Sequence, residues 1–173
     1  SDLHRPPTDK EILRWSRGWP DAGVAVVTGG VSGLVVVDVD LRHGGEASLR
    51  ALERAHGALP ATVEAITGGG RHLYFAHPGR PVRNQVAVAP GIDLRGDGGY
   101  VVAPPSVHPS GRRYAWVAGH APDEMSLAPL PAWLLHEIDA AGRIGHPPGY
   151  WRDLVRRGVG EGERNNTIAS LTG

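Results

Sequence analysis

The sequence predicts an α+β domain in which short strands and tight turns are combined with a few helices. The chain has 173 residues, which is enough for one domain with a sizeable core. Its 25 glycines and 15 prolines favour many turns between short strands. Residues 46–56 show a helical pattern between two strand-like runs, which is typical of a helix that packs on one face of a sheet.

Composition excludes several classes of protein. The chain has no cysteine, so disulfides and thiolate zinc sites are ruled out. Its formal net charge is zero, which argues against a protein that coats nucleic acid through general basic character but leaves a local basic groove open. Lys10 is the only lysine, and the arginines that make up the other basic residues suit bidentate phosphate contacts. The longest apolar run is too short to span a bilayer and no signal-peptide pattern opens the chain, so we expect a cytoplasmic protein without membrane contact.

The first element is a short helix. Thr8 and Glu11 form a capping box, and the helix is expected to end near Arg17. We expect its apolar residues to be partly buried, and its tryptophans to pack rather than to stack on a ligand; these residues are Ile12, Leu13, Trp15 and Trp19.

The central feature is an apolar, β-branched run over residues 34–40, which predicts a buried strand. It ends in Asp38 and Asp40. Because alternate residues of a strand share a face, the two carboxylates lie side by side. Carboxylates held that close repel each other unless a cation lies between them, so the run predicts a metal site.

A second strand-like run, residues 23–27, precedes this one, and glycine-rich residues 28–33 connect the two. Phosphate-binding loops open a helix after their glycines, whereas here another strand follows and no Lys-Ser or Lys-Thr pair is present. We therefore expect a plain hairpin.

A turn of three glycines, Gly68 to Gly70, follows a predicted strand over residues 62–67. Backbone at such a turn can approach a ligand closely. The next strand opens with Arg71 and His72, two groups that can bind an anion. Taken alone, His72 is better explained as a surface histidine on a strand.

Residues 90–106 contain two short strands around a tight Gly/Asp turn, which predicts a hairpin. Asp93 stands between Ile92 and Leu94, where an unpartnered carboxylate would be costly, so we expect it to be paired or bound to a metal. Asp97 lies in a Gly-Asp-Gly sequence and is expected to be a turn residue.

The rest of the chain predicts some strand character in residues 80–89, a strand over 112–117 and a helix over 129–140. Residues 142–149 are rich in glycine and proline and predict a linker. We expect residues 1–141 to form the main domain, and 142–173 to be the linker and the start of a helical accessory segment that is cut off at Gly173.

Three stretches, residues 33–40, 69–75 and 91–106, occur in this order and together resemble a known family. The chain resembles the bifunctional DNA primase/polymerase N-terminal (prim-pol) domain of the archaeo-eukaryotic primase superfamily over residues 18–138. Gly70 stands where that family often has a small hydroxyl residue.

The resemblance implies a primase-polymerase fold, with a catalytic core on an RRM-like antiparallel or mixed sheet and flanking helices. It implies that Asp38, Asp40 and Asp93 hold two Mg²⁺ or Mn²⁺ ions and that His72 contacts the incoming triphosphate. Oxygen ligands of this kind suit those hard cations. Further nucleotide contacts would come from Gly69, Gly70, Arg71, Arg95 and Ser106.

The function implied is template-dependent joining of nucleoside triphosphates to a 3′-hydroxyl, in replication of a phage, plasmid or mobile element. Its partners would be single-stranded DNA template, primer and nucleotides, with a helical priming segment and a helicase fused or adjacent in the full-length protein. Two alternatives are a nuclease and a non-catalytic RRM-like nucleic-acid-binding module. The chain lacks the His-x-His site typical of the first, and aromatic residues, which the second would display on its sheet, make up only 6%.

Overall fold

The structure is a computed structural model in which Arg5 and residues 7–143 are described. The helices are α1 (Asp9–Gly18), α2 (Gly45–His56) and α3 (Ala132–Arg143). The strands are β1 (Val24–Val27), β2 (Leu34–Asp40), β3 (Val63–Ile66), β4 (Gly70–Ala76), β5 (Gln85–Ala89), β6 (Ile92–Arg95), β7 (Tyr100–Ala103), β8 (Ala115–Trp116) and β9 (Ala128–Pro129). The predicted accessory segment and most of the predicted linker lie outside the described residues.

The main sheet has the strand order β5-β6-β2-β4-β3-β8, and every pair along this path is antiparallel. Strand β9 pairs in parallel with the end of β4, so the sheet is mixed. Strand β2 is central, as its apolar run predicted, because Val35, Val36, Val37 and Val39 are almost fully buried. This architecture confirms the predicted α+β class and is compatible with a primase-polymerase fold.

One face of the main sheet is covered by helices. Odd-numbered residues of β2 and β4 point to this face and form the larger core with Leu49 of α2 and with Leu134 and Ile138 of α3. Helix α2 ends at Gly57, whose positive φ of 103° suits glycine. None of the described helices has the length and apolar character needed to span a bilayer.

The opposite face is partly covered by a two-stranded sheet of β1 and β7. Val26 and Val101 from this layer join Val36, Val63 and Tyr74 of the main sheet in a smaller core. Since the layer covers only part of the face, the ends of β2 and β6 keep polar side chains there.

Both predicted hairpins are wrong. Strand β1 pairs with β7 rather than with β2, and the predicted β1–β2 turn contributes only an isolated bridge between Gly29 and Leu34. Strands β6 and β7 likewise do not pair with each other, because residues 96–99 carry the chain from the main sheet to the second layer. A side chain at Gly96 would overlap the carbonyl of Val82, which explains the glycine at this crossing.

Asp97 does more than the turn role predicted for it. Its carboxylate accepts hydrogen bonds from the backbone N–H of Gly30 at 2.8 Å and of Val82 at 2.7 Å. His77 lies 3.3 Å away. Asp97 therefore joins three segments that are distant in sequence.

Helix α1 begins with the predicted capping box between Thr8 and Glu11. The expectation that its apolar side chains are partly buried is met by Trp15 alone. Ile12 is 48% exposed, Leu13 55% and Trp19 65%, so the predicted packing role of these three residues is wrong. The short helix lies on the surface and contributes no fully buried side chain to the core.

Candidate functional site

Three predicted site residues form one row across the centre of the main sheet. Asp38 of β2 is in register with Asp93 of β6 on one side and with His72 of β4 on the other. Residues in register on neighbouring strands share a face. The row therefore lies on the face opposite the helices, beside the β1–β7 layer.

Arg95 lies on the same face, two residues after Asp93, and its guanidinium reaches both aspartates of the row. Its Nη2 donates to Oδ2 of Asp93 at 2.9 Å and lies 3.6 Å from Oδ2 of Asp38. The side chain is 10% exposed, and its Nη1 has no hydrogen-bond partner among the described residues. A buried cation thus lies against the pair of carboxylates.

Burial raises the pKa of both Asp38 and Asp93. The Arg95 charge lowers the pKa of each carboxyl in part, whereas the neighbouring aspartates raise it further. The net direction is upward in both cases. One guanidinium is therefore not enough to offset the burial of these two carboxyls and the repulsion from neighbouring carboxylates.

His72 is buried, and its Nε2 lies 3.5 Å from Oδ1 of Asp38. Burial, followed by the charge of Arg95, lowers the pKa of His72 to about 4. The imidazole is therefore neutral at pH 7 and can donate one hydrogen bond without adding charge.

Asp40 shares a face with Asp38 by strand alternation, but its carboxylate is turned toward the 3₁₀ turn Leu41–His43. It accepts hydrogen bonds from the backbone N–H of Arg42 at 2.8 Å and from its side chain, and lies 2.8 Å from Nδ1 of His43. Burial alone would raise the pKa of Asp40, but these hydrogen bonds hold it below its usual value.

A bulge in β5 helps to position Asp93. Ala87 has a φ of 55°, which is rare for a residue other than glycine, and β5 slips in register between Gln85 and Ala89. The bulge directs the N–H of Ala87 to Oδ1 of Asp93 at 2.9 Å. Strained backbone therefore supports this carboxylate.

The structure does not bring Arg71 into the site. Arg71 precedes His72 on β4, so its side chain points to the helix face. There it pairs with Glu46 of α2 and Glu64 of β3, both at 3.0 Å. Arg71 therefore lies on the face of the sheet opposite the row, where its partners are carboxylates.

Ser106 makes its side-chain hydrogen bonds to β1. It is buried, and its hydroxyl accepts from the N–H of Val24 at 2.7 Å and donates to the carbonyl of the same residue. The hydroxyl thus connects the segment after β7 to the start of β1 and is not directed at the row.

Gly69 and Gly70 lie beside Asp40, since Asp40 and Gly70 are in register and Leu41 donates to the carbonyl of Gly69 at 3.0 Å. A side chain at Gly70 would overlap the carbonyl of Val39. The glycine is therefore required by close strand packing, and the turn borders the end of the site.

Two tyrosines that sequence reasoning did not assign lie beside the row. The rings of Tyr74 and Tyr114 each have their centroids 6.1 Å from that of His72. Tyr74 was detectable by alternation along β4 from His72. Tyr114 comes from the loop before β8, and no local sequence signal connects it to the site.

The carboxylate oxygens of the site are suitable ligands for a hard divalent cation, but they are not arranged together as a complete metal site. Asp38 and Asp93 are in register and carry raised pKa values, as expected for carboxylates that a cation would stabilise. The carboxylate of Asp40 is held by the 3₁₀ turn. Within Arg5 and residues 7–143, no three His, Asp or Glu side chains are gathered in a group that could hold a metal ion.

Comparison with known proteins identifies the family. Residues 2–133 match the family model Prim-Pol, described as bifunctional DNA primase/polymerase, N-terminal. A search of curated proteins found no match to the chain. The matched region contains the whole Asp93–Asp38–His72 row, and the chain belongs to the family of bifunctional DNA primase/polymerase N-terminal domains.

Proposed function

We propose that this domain is a template-dependent nucleotidyltransferase that joins nucleoside triphosphates to a 3′-hydroxyl during replication of a phage, plasmid or mobile element. Family membership supports a primase/polymerase-type enzyme. The observation that carries the finer proposal is the register of Asp38 with both Asp93 and His72. Two carboxylates and a neutral hydrogen-bond donor are thereby held on a face that the helices leave open.

In this proposal, Asp38, Asp40 and Asp93 would hold Mg²⁺ or Mn²⁺, whose chemistry would be activation of the attacking hydroxyl and neutralisation of the charge on the leaving pyrophosphate. For Asp40 to take part, its carboxylate exchanges the hydrogen bonds of Arg42 and His43 for the metal. Asp38 and Asp93 already face each other and need no change of strand register.

The remaining groups of the site bind and orient the nucleotide. His72, neutral at pH 7, donates a hydrogen bond to a phosphate oxygen. Arg95 contributes positive charge beside the same position, and its Nη1 has a free donor among the described residues. The backbone of Gly69 and Gly70 borders the Asp40 end of the nucleotide.

Primer extension on a templated strand with Mn²⁺ or Mg²⁺ tests the proposal. The wild type is expected to add nucleotides, and Asp38→Ala/Asp40→Ala is expected to add none. His72→Ala is expected to raise the nucleotide KM more than it lowers thermal stability. The proposal fails if the wild type neither incorporates nucleotide with either metal nor binds a triphosphate in calorimetry.

A further inference from the structure

Residues 106–114 form a small hairpin between the β1–β7 layer and β8. Val107 and Arg113 form an antiparallel bridge in it, and the N–H of His108 donates to the carbonyl of Arg112 at 2.8 Å. Because residues opposite each other in an antiparallel pair share a face, this pairing determines which side chains of the hairpin lie together.

One face of the hairpin, called its inner face below, carries His108, Arg112 and Tyr114. His108 is opposite Arg112 in the pairing, and Tyr114 follows Arg112 by two residues, so alternation places all three side chains on one side. Val107 and Arg113 occupy the outer face, where both are exposed. The inner face therefore combines two rings with a guanidinium.

Tyr114 connects the inner face to the Asp93–Asp38–His72 row. Its ring centroid lies 6.1 Å from that of His72 and 6.3 Å from that of His108. Burial, followed by the charge of Asp38, raises the pKa of Tyr114. The tyrosine is therefore within electrostatic range of the central carboxylate of the row, and the hairpin directly borders the site.

The three-glycine turn between β3 and β4 makes room for the other inner-face side chains. A Cβ at Gly68 would overlap the His108 ring, and Nη1 of Arg112 donates to the carbonyl of Gly68 at 3.3 Å. Next along the turn, a Cβ at Gly69 would lie 3.1 Å from Nε of Arg42. The glycines thus allow basic and aromatic side chains to pack closely against the turn that ends the site.

Arg112 supplies a positive charge to this border. Its side chain is exposed, and no carboxylate within Arg5 and residues 7–143 pairs with it. Its hydrogen bond to the carbonyl of Gly68 is longer than the usual N–H···O bond. Hydrogen bonds from arginine to phosphate are shorter and stronger, so a phosphate group can compete for this guanidinium.

We infer that the inner face binds one nucleotide unit of a single-stranded nucleic acid, with its phosphate on Arg112 and its base against the Tyr114 ring. A cation beside an aromatic ring is the usual means of binding such a strand. The inference rests on the proposed function, because the row beside the hairpin acts on the same strand. In that function the triphosphate is bound by His72 and Arg95, which are buried, whereas Arg112 is exposed.

Fluorescence anisotropy with a labelled oligothymidylate, measured over a series of salt concentrations, tests the inference. Arg112→Gln is expected to weaken binding about tenfold at low salt and to reduce the salt slope by about 0.7, the value for one phosphate contact on a single strand. Arg113→Gln is the matched control, because it removes the same charge from the outer face of the hairpin. Its salt slope should equal that of the wild type.

Substitutions of Tyr114 test the contact with a base. Tyr114→Leu is expected to weaken binding about tenfold without a change in salt slope, since stacking involves no phosphate. Tyr114→Phe keeps the ring and should bind as the wild type does. Circular dichroism and thermal melting establish that each variant is folded, and Arg112→Gln, a change at an exposed side chain, carries the test if Tyr114→Leu does not fold.

Three outcomes of the anisotropy measurement would overturn the inference. They are a wild type that does not bind the oligonucleotide, an Arg112→Gln variant with wild-type affinity and slope, and an Arg113→Gln control that loses as much as Arg112→Gln. Calorimetry with a nucleoside triphosphate distinguishes the other source of phosphate. Arg112→Gln should keep its triphosphate affinity, and loss of that affinity with unchanged oligonucleotide binding would also overturn the inference.

Nucleotide incorporation, measured in parallel, separates this inference from the proposed function. Arg112→Gln is expected to raise the KM for the primed template more than it lowers kcat. If the wild type incorporates no nucleotide but its oligonucleotide binding depends on Arg112, the proposed function fails and the binding surface stands. If incorporation is observed and Arg112→Gln changes neither the template KM nor binding, the inference fails and the proposed function stands.

Discussion

Asp38 and Asp93 face each other directly across the β2–β6 pairing, and the guanidinium of Arg95 lies against both carboxylates. This relationship defines the chemistry of the row. Two partly buried acids are held in register, and the charge of Asp38 adds to the rise that burial causes in the pKa of Asp93. Such an arrangement costs folding free energy and is typical of sites that bind a cation or transfer charge.

Replacing Asp38 by asparagine is expected to separate stability from activity. Because burial raises the pKa of Asp38, its charge is unfavourable in the folded protein, and Asp38→Asn leaves the Asp93–Arg95 pair in place. The free energy of unfolding in urea should stay level or rise. Incorporation should fall at least about 100-fold, since metal-ion stabilisation is worth several kcal/mol. A loss of stability as large as the loss of activity would contradict this reading.

Removing Arg95 is expected to make the protein depend on divalent cations for stability. Arg95→Met leaves two partly buried carboxylates opposed without a cation, which should lower the free energy of unfolding by roughly 3 kcal/mol. Mn²⁺ should restore more of the melting temperature in this variant than it adds to the wild type. Equal shifts in the two proteins would show that Arg95 does not neutralise the pair. Arg54→Met on α2 is the control, with no expected dependence on Mn²⁺.

His72 is expected to make stability depend on pH below neutrality. Its pKa is about 4 in the folded protein against an ordinary value of 6.5, so the unfolded chain binds the proton more readily. The stabilisation from neutral His72 is complete above pH 6.5 and is lost as pH falls toward 4, by about 3 kcal/mol in all. Urea unfolding at several pH values should show a shallower dependence for His72→Gln. His136→Gln, a change at a histidine that is 74% exposed, should follow the wild type.

Arg71 is expected to act on stability and not on nucleotide binding. Arg71→Gln breaks the pairs with Glu46 and Glu64 on the helix face and should cost about 1–2 kcal/mol in urea unfolding. The KM for triphosphate should remain within about twofold, in contrast to His72→Ala, since Arg71 lies on the other side of the sheet. A large rise in KM without loss of stability would place Arg71 at the nucleotide after all.

Local sequence patterns predicted the parts of the site that depend on a single strand. The two-residue period of β2 is sufficient to place Asp38 and Asp40 on one face. The same rule, applied to β4, separates Arg71 from His72 and would have removed Arg71 from the predicted contacts. It also places Arg95 on the face of Asp93.

Local sequence patterns could not predict which strands, distant in sequence, pair with each other. Glycine-rich turns before β2 and after β6 suggested hairpins, because a turn signal reports where the chain reverses and not which strand it meets next. The register that sets Asp38 between Asp93 and His72 depends on side-chain packing across the whole sheet. The orientation of the Asp40 carboxylate depends on the 3₁₀ turn, which no local pattern predicted.

The pairing of β1 with β7 has a consequence for the order in which the protein folds. Roughly 70 residues of chain separate these strands, so closing this contact carries a large entropic cost that local hairpins avoid. The second layer can form only after the main sheet has brought β7 into place. The surface beside the Asp93–Asp38–His72 row is therefore completed late. During synthesis, a chain that has not yet been extended to residue 103 contains all three residues of the row but cannot form the β1–β7 layer beside them.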